Sequence, residues 1–209
     1  MSNDITASFP ENRTHLYLIR HGETEENRRG VLVGSTDVPL SETGRAQAIA
    51  LGKTARSLKV DAIYASPLQR AVETALLVFG REARILTDSR LRELHFGEWE
   101  GLSFAEIAEK YPELWGRWLK DWENTPIPGA DSFPDFARRL LGCCGEILSA
   151  HEGGRVAIVS HGGCIRAVFA HCFSASPGAG YWQFKVENAA LSEIEFAGGL
   201  PILTRFNNR

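Results

Sequence analysis

At 209 residues, with 44% hydrophobic and 23% charged residues, the chain can bury a substantial core and has the balance of an ordinary globular domain. Its formal charge of -3, with no basic run or basic helix face, argues against a nucleic-acid partner or a membrane surface. No apolar stretch approaches a membrane span, and the polar segment Met1 to Pro10 lacks the apolar centre of a secretory signal.

Residues 1–13 read as a loose lead-in to a single domain over 14–209. Leu16-Tyr17-Leu18-Ile19 is a short apolar run of the kind that forms a strand buried on both faces, and it stops at Arg20-His21-Gly22. Val31 to Pro39 reads as loop. Ser41 then caps a helix through about Leu58, with Ala48, Leu51, Ala55 and Leu58 on one face. Gly52-Lys53-Thr54 imitates the end of a phosphate-binding P-loop. The spacing needs glycine where Gln47 stands, and the triplet lies inside a helix rather than opening one.

Asp61 to Ala65 is a second strand, and Ser66-Pro67 has the chemistry of an N-cap followed by a first helical residue. Arg70 falls in that helix's first turn, where the dipole does not favour a cation, which suggests a ligand. A short strand near Arg84 leads to Leu91-Arg92-Glu93-Leu94-His95-Phe96-Gly97-Glu98-Trp99-Glu100-Gly101. Ser103 and Glu106 form a capping box, Pro112 to Trp122 reads as a helix, and Ser132 with Asp135 opens a longer one. Arg155 to Ser160 is another buried-strand pattern that exits into His161-Gly162-Gly163, and a helix through Cys172 follows. Trp182–Val186, Leu191–Phe196 and Ile202–Arg205 alternate as strands do, with Gly198-Gly199 as a hairpin turn.

Strands alternating with helices define an α/β fold: a three-layer α/β/α sandwich whose central sheet is mostly parallel with an antiparallel edge strand. The segment from about 98 to 133 breaks that rhythm and reads as a helical insertion over the site. Cys143, Cys144, Cys164 and Cys172 have no framework spacing, which suits buried thiols in a reducing cytoplasm.

In an open parallel sheet, ligands bind beyond the carboxyl ends of the strands. Three strands deliver Arg20-His21, Arg70 and His161 to that edge. Two guanidiniums matched to one anion suit phosphate, since each fork offers paired donors. A metal site built from His21, His95 and His161 is disfavoured, because the closely paired ligand spacings of structural zinc are missing and two arginines would repel a dication. His15, His151 and His171 have no partner visible in the sequence.

Arg20-His21-Gly22-Glu23-Thr24 with Asn27, Pro39-Leu40-Ser41-Glu42-Thr43-Gly44, Ser66-Pro67-Leu68-Gln69-Arg70-Ala71 and Ser160-His161-Gly162-Gly163 resemble, in order, the motifs of the histidine phosphatase superfamily, the phosphoglycerate-mutase-like fold. The resemblance runs from about residue 15 to 196. It implies that His21 attacks the phosphorus of a small phosphomonoester to give a phosphohistidine. Arg20, Arg70, Asn27 and His161 would hold the phosphoryl oxygens, with the backbone N–H of Gly162 as a further donor. Glu93 would be the general acid, Glu98 and Glu100 being nearby rivals. Neither cofactor nor metal is expected.

Phe96 to Gly101 and Pro128-Gly129-Ala130-Asp131-Ser132-Phe133 resemble the phosphatase branch, although Ala130-Asp131 depart from its Gly-Glu. α-Ribazole 5′-phosphate is the leading substrate candidate, beside broad-specificity and phosphoserine phosphatases. A phosphoglycerate mutase and a non-catalytic phosphate-binding protein are the readings from other classes. Trp99, Trp115, Trp118 and Trp122 at helical spacing read first as the core of the insertion, and second as a stacking surface for an aromatic substrate. The C-terminal strands offer an edge through which a homodimer could pair.

Overall fold

The computed structural model describes residues 12–209, so most of the expected lead-in lies outside the described residues. Strand β1 (Arg13–Arg20) takes in the last lead-in residue. It is followed by α1 (Glu25–Arg29), α2 (Glu42–Ala55) with a 3₁₀ turn to Leu58, β2 (Ala62–Ala65), α3 (Gln69–Phe79) and β3 (Ile85–Thr87). The insertion carries α4 (Phe104–Lys110) and α5 (Pro112–Trp118). Then come α6 (Phe133–Ala150), β4 (Arg155–Ser160), α7 (Gly162–Phe173), β5 (Leu191–Ala197) and β6 (Leu200–Asn208).

One six-stranded sheet has the order β3-β2-β4-β1-β5-β6. The first four strands in that order are mutually parallel. β5 runs against β1, and β6 returns along the edge as its hairpin partner. Alternation along the strands explains why their runs are apolar throughout. Leu16, Leu18, Val156 and Ile158 pack under α6 and α7, whereas Tyr17, Ile19, Ala157 and Val159 pack under α2 and α3. The sheet is therefore covered on both faces, as a three-layer sandwich requires. Among the described residues, no helix is long and apolar enough to cross a membrane.

Three local expectations are corrected, and one short helix has no expectation at all. The helix expected from Ser66 begins only at Gln69, whose N–H is capped by Asp37 Oδ1 at 2.8 Å; Ser66 Oγ accepts from Leu68 N–H at 3.4 Å in the turn before it and also meets His161 Nε2. The helix expected through Trp122 stops at Trp118 and continues as turns. Trp182–Val186 is not a strand: it opens with a 3₁₀ turn, and its carbonyls serve arginine side chains instead of a ladder. Phe184 O accepts from Arg166 Nε and Val186 O from Arg20 Nη1. The five-residue α1, too short and charged to show a period, is held by a Thr24–Asn27 capping box.

At the base of the insertion, Phe96 bridges Ala130, and Glu98 N–H donates to Pro128 O. Gly97 makes this closure with φ +56°, and a β-carbon there would collide with the Pro128 carbonyl. The Ser103–Glu106 capping box forms as expected, and so does the Ser132 N-cap of α6.

Candidate active site

The parallel registers set the exits of three strands level with one another: Arg20 lies opposite Ser160, and Ala65 opposite Val159. His21 N–H donates to Ser160 O at 2.9 Å and Ser66 N–H to Val159 O at 3.0 Å, so the chains leave the sheet side by side. Gly22 then passes so close to Gly44, at the start of α2, that a β-carbon on either would collide with backbone. Gly22 N–H is also fixed by Thr74 Oγ1 at 3.0 Å.

His21 and His161 are buried, with ring centroids 5.2 Å apart and planes at 61°. His21 Nδ1 lies 2.7 Å from Gly22 O, a carbonyl that can only accept. The proton is accordingly assigned to Nδ1, which leaves the Nε2 lone pair free. Burial, followed by the charges of Arg70 and Arg20, holds the His21 imidazolium pKa well below its ordinary value. His161 is depressed in the same way, by burial and then by Arg70. Its Nε2 lies 2.8 Å from Ser66 Oγ, and its Nδ1 is buried without a hydrogen-bond partner.

Arg70 is 1% exposed and spends two N–H groups on the carbonyls of Thr36 (2.8 Å) and Gly34 (2.6 Å). Arg20 anchors Nη1 on Val186 O at 2.7 Å, and its buried Nε has no partner. Burial, then the neighbouring Arg166 guanidinium, pulls Arg20 down to about 10, still charged at neutral pH. The Arg20 side chain lies against Gly162, the first residue of α7. The orphaned Nε of Arg20, a second buried guanidinium and a helix N-terminus together form a receptor for an oxyanion.

Glu93 is buried beside this group. Its Oε2 accepts from Gly163 N–H at 2.8 Å and its Oε1 from Leu94 N–H at 3.0 Å. The rivals are elsewhere engaged. Glu100 takes the N–H groups of Ser35, Thr36 and Phe96 as well as His95 Nδ1, and exposed Glu98 is bonded by Tyr111. Asn27 Oδ1 accepts from Thr24 N–H and Asn188 Nδ2, and the latter nitrogen also donates to His21 O. Asn27 N–H donates to Thr24 Oγ1, and among the described residues the side-chain nitrogen Nδ2 of Asn27 has no hydrogen-bond partner, so it is free to donate. Thr74 and Asn188 carry no motif of their own, and Ser66, although it opens a family-like motif, reads there as a helix cap; their supporting roles emerge only from packing.

Two of the three histidines left without a partner by the sequence do have one: His15 lies 2.9 Å from Glu193, and His151 lies 3.1 Å from the Tyr64 hydroxyl. His15, Glu193 and Glu195 are the only described group whose ligand atoms crowd as a metal set would, all lying within 4.8 Å. Arg205 at 3.0 Å and Arg13 at 2.8 Å already pair with those carboxylates, so the group reads as an ion-pair network away from the strand exits.

Two imidazoles kept neutral by burial couple folding to pH. The unfolded chain gains their protons as pH falls through about 6.5 and the folded chain does not, so the stability they contribute is complete above that value and lost below it. Unfolding free energies from urea titration are expected to fall between pH 7.5 and 5.5, by up to about 1.4 kcal/mol per pH unit for each histidine. The slope should flatten in His161→Asn. An unchanged slope in that variant would contradict the assignment.

This combination of sheet topology and strand-exit residues belongs to one class of protein. Residues 16–209 match the model of the histidine phosphatase superfamily (branch 1), and the chain belongs to that superfamily and is a phosphatase. It is 32% identical over 195 residues to the adenosylcobalamin/alpha-ribazole phosphatase of Salmonella typhimurium, covering 93% of this chain and 96% of the relative. It is 31% identical over 193 residues to phosphoserine phosphatase 1 of Hydrogenobacter thermophilus, covering 92% and 91%. The alpha-ribazole phosphatase structure from Shigella flexneri superposes with a TM-score of 0.83 at 29% identity, over 93% of this chain and 96% of that one.

Proposed function

We propose that residues 14–209 form one catalytic domain that hydrolyses a small phosphomonoester through a phosphohistidine on His21. The observation that carries this reading is the Nδ1 contact to the Gly22 carbonyl, which leaves a neutral imidazole with Nε2 free beside two guanidiniums. Nε2 attacks phosphorus and the ester oxygen departs. Arg20, Arg70, Asn27, His161 and the Gly162 N–H bind the three phosphoryl oxygens and offset the charge that builds in the transition state. Glu93 donates a proton to the leaving oxygen. It then removes one from the water that releases phosphate.

This chemistry needs no cofactor and no metal. The relatives' names support α-ribazole 5′-phosphate as the leading substrate, with phosphoserine as the second candidate. Four free cysteines suit a cytoplasmic setting. The exposed edge of β6 supports a homodimer. The test is to quench turnover in denaturant and assay the protein for phosphate that is labile to acid and stable to base. Its absence under rapid-quench conditions, while hydrolysis proceeds, would remove His21 as the covalent nucleophile.

A further inference from the structure

The loop between α1 and α2 holds Arg70 through backbone alone. Arg70 Nη2 donates to Gly34 O at 2.6 Å and Nη1 to Thr36 O at 2.8 Å. Among the described residues, no carboxylate forms an ion pair with this buried guanidinium. The aim of its fork therefore depends on where two carbonyls point.

Glu100 fixes those carbonyls from the other side. Its Oε1 accepts from Ser35 N–H at 3.0 Å and its Oε2 from Thr36 N–H at 3.2 Å, with the Thr36 hydroxyl as a further donor to Oε2. Ser35 N–H and Gly34 C=O belong to one peptide unit, whose planar trans geometry points them in opposite directions. That plane is pinned at one end by the carboxylate and at the other by Arg70. Each of the two hydrogen bonds polarises the peptide in the sense that strengthens the other.

The remaining contacts make Glu100 a firm anchor. Oε1 also accepts from Phe96 N–H at 3.2 Å and meets His95 Nδ1 at 2.6 Å, and the side chain is only 11% exposed. Burial pushes its carboxyl pKa up, but the hydrogen bonds of Thr36 and then His95 outweigh burial and leave it below the ordinary value. The loop has no slack. A β-carbon on Gly34 would collide with Leu94 O and Glu100 Oε1, and Leu32 is tied by backbone hydrogen bonds to Gly101 and Leu102. Ser35 and His95 also wall the cleft that Glu93 borders, so the loop lies beside the general acid as well.

We propose that Glu100 is a positioning residue for the phosphate clamp: it bonds to neither the phosphate nor Arg70, and aims the Arg70 fork through the Gly34–Ser35 peptide and Thr36. The inference rests on the phosphomonoesterase reading, in which Arg70 binds the phosphoryl group. It adds a residue from the base of the insertion to the machinery of that site.

The experiment is a double-mutant cycle on the calorimetric Kd for inorganic phosphate and on kcat and KM for p-nitrophenyl phosphate. Glu100→Gln keeps the shape but turns one acceptor oxygen into a donor facing N–H groups. It is expected to raise Kd and lower kcat/KM by about 10- to 100-fold, the effect of misplacing a binding group by about an ångström. In the Arg70→Met background, where no fork remains to be aimed, the same substitution should change Kd less than about twofold. Thr36→Val removes only the hydroxyl and should move Kd and kcat/KM the same way by about threefold, one hydrogen bond's worth. Ser103→Ala, which uncaps α4 and leaves the 32–36 loop alone, should lower the melting temperature and move neither constant. Multiplicative losses in the double variant, wild-type phosphate affinity in Glu100→Gln, or an equal loss in Ser103→Ala overturns the proposal. Should Glu100→Gln fail to fold, Thr36→Val takes its place in the cycle, and a wild-type Kd there overturns it. If the wild type neither hydrolyses the ester nor binds phosphate, the phosphatase reading fails separately. The guanidinium NMR signals of Arg70, assigned in arginine-labelled protein by their absence in Arg70→Lys, then decide the proposal. Resolved, slowly exchanging Nη protons that merge in Glu100→Gln uphold it, and signals unmoved by the substitution overturn it.

Discussion

Replacing His21 with alanine is expected to lower turnover of p-nitrophenyl phosphate by at least about 10⁴-fold, close to 5.5 kcal/mol of barrier. No neighbouring group can take over. His161 spends Nε2 on Ser66, and the buried thiol of Cys164 is pushed well above its ordinary pKa by burial and then by Glu93. The arginines and the Gly162 N–H would remain, so the variant should still bind substrate and inorganic phosphate, separating a loss of kcat from a loss of affinity. His21→Gln keeps more of the buried volume and should be equally inactive. Turnover near the wild-type rate in both variants, with folding confirmed by circular dichroism, would defeat the nucleophile assignment.

The second large effect belongs to Glu93→Gln. The substitution keeps the shape of the side chain but removes its ability to pass a proton, a loss on the order of 10²–10⁴-fold in general acid–base catalysis. The penalty should depend on the alcohol. p-Nitrophenolate departs without a proton, so phosphorylation of His21 by that ester should be nearly spared while an alkyl phosphate suffers the full loss. Release of phosphate still needs the base, so the phosphoenzyme should accumulate in Glu93→Gln with p-nitrophenyl phosphate. Equal losses for both esters, with no accumulated phosphoenzyme, would hand the role to another group.

The sequence makes some of this architecture plain and hides the rest for identifiable reasons. The β1 and β4 runs are apolar on both faces, and each ends in histidine, so the strand exits and their chemistry can be read together. Arg70 can be read as a misfit in a first helical turn, and it proves to be buried with both ends of its fork in use. Glu93 carries no local pattern that marks it as an acid. Its position is fixed by Gly163, seventy residues away, and only family resemblance reaches that far. Ser66-Pro67 looks like a cap, and the hydroxyl does accept from Leu68 N–H at the helix entry, but its second contact, to the His161 imidazole, comes from tertiary packing that no local pattern announces. The 182–186 segment deceives by alternation alone: side chains alternate as in a strand, yet its carbonyls are taken by Arg20 and Arg166.

The tryptophans have a consequence of another kind. All five in the chain form one connected array, from Trp99 through Trp115 and Trp118 to Trp122 and Trp182, with adjacent centroids 5.1–6.5 Å apart. Excitation absorbed by any indole can therefore migrate among the others, and the emission of the whole protein originates in the insertion and the loop that closes against it. Ultraviolet fluorescence is thus a regional gauge: it registers events at the mouth of the Glu93 cleft and is nearly silent about the hairpin and the far face of the sheet.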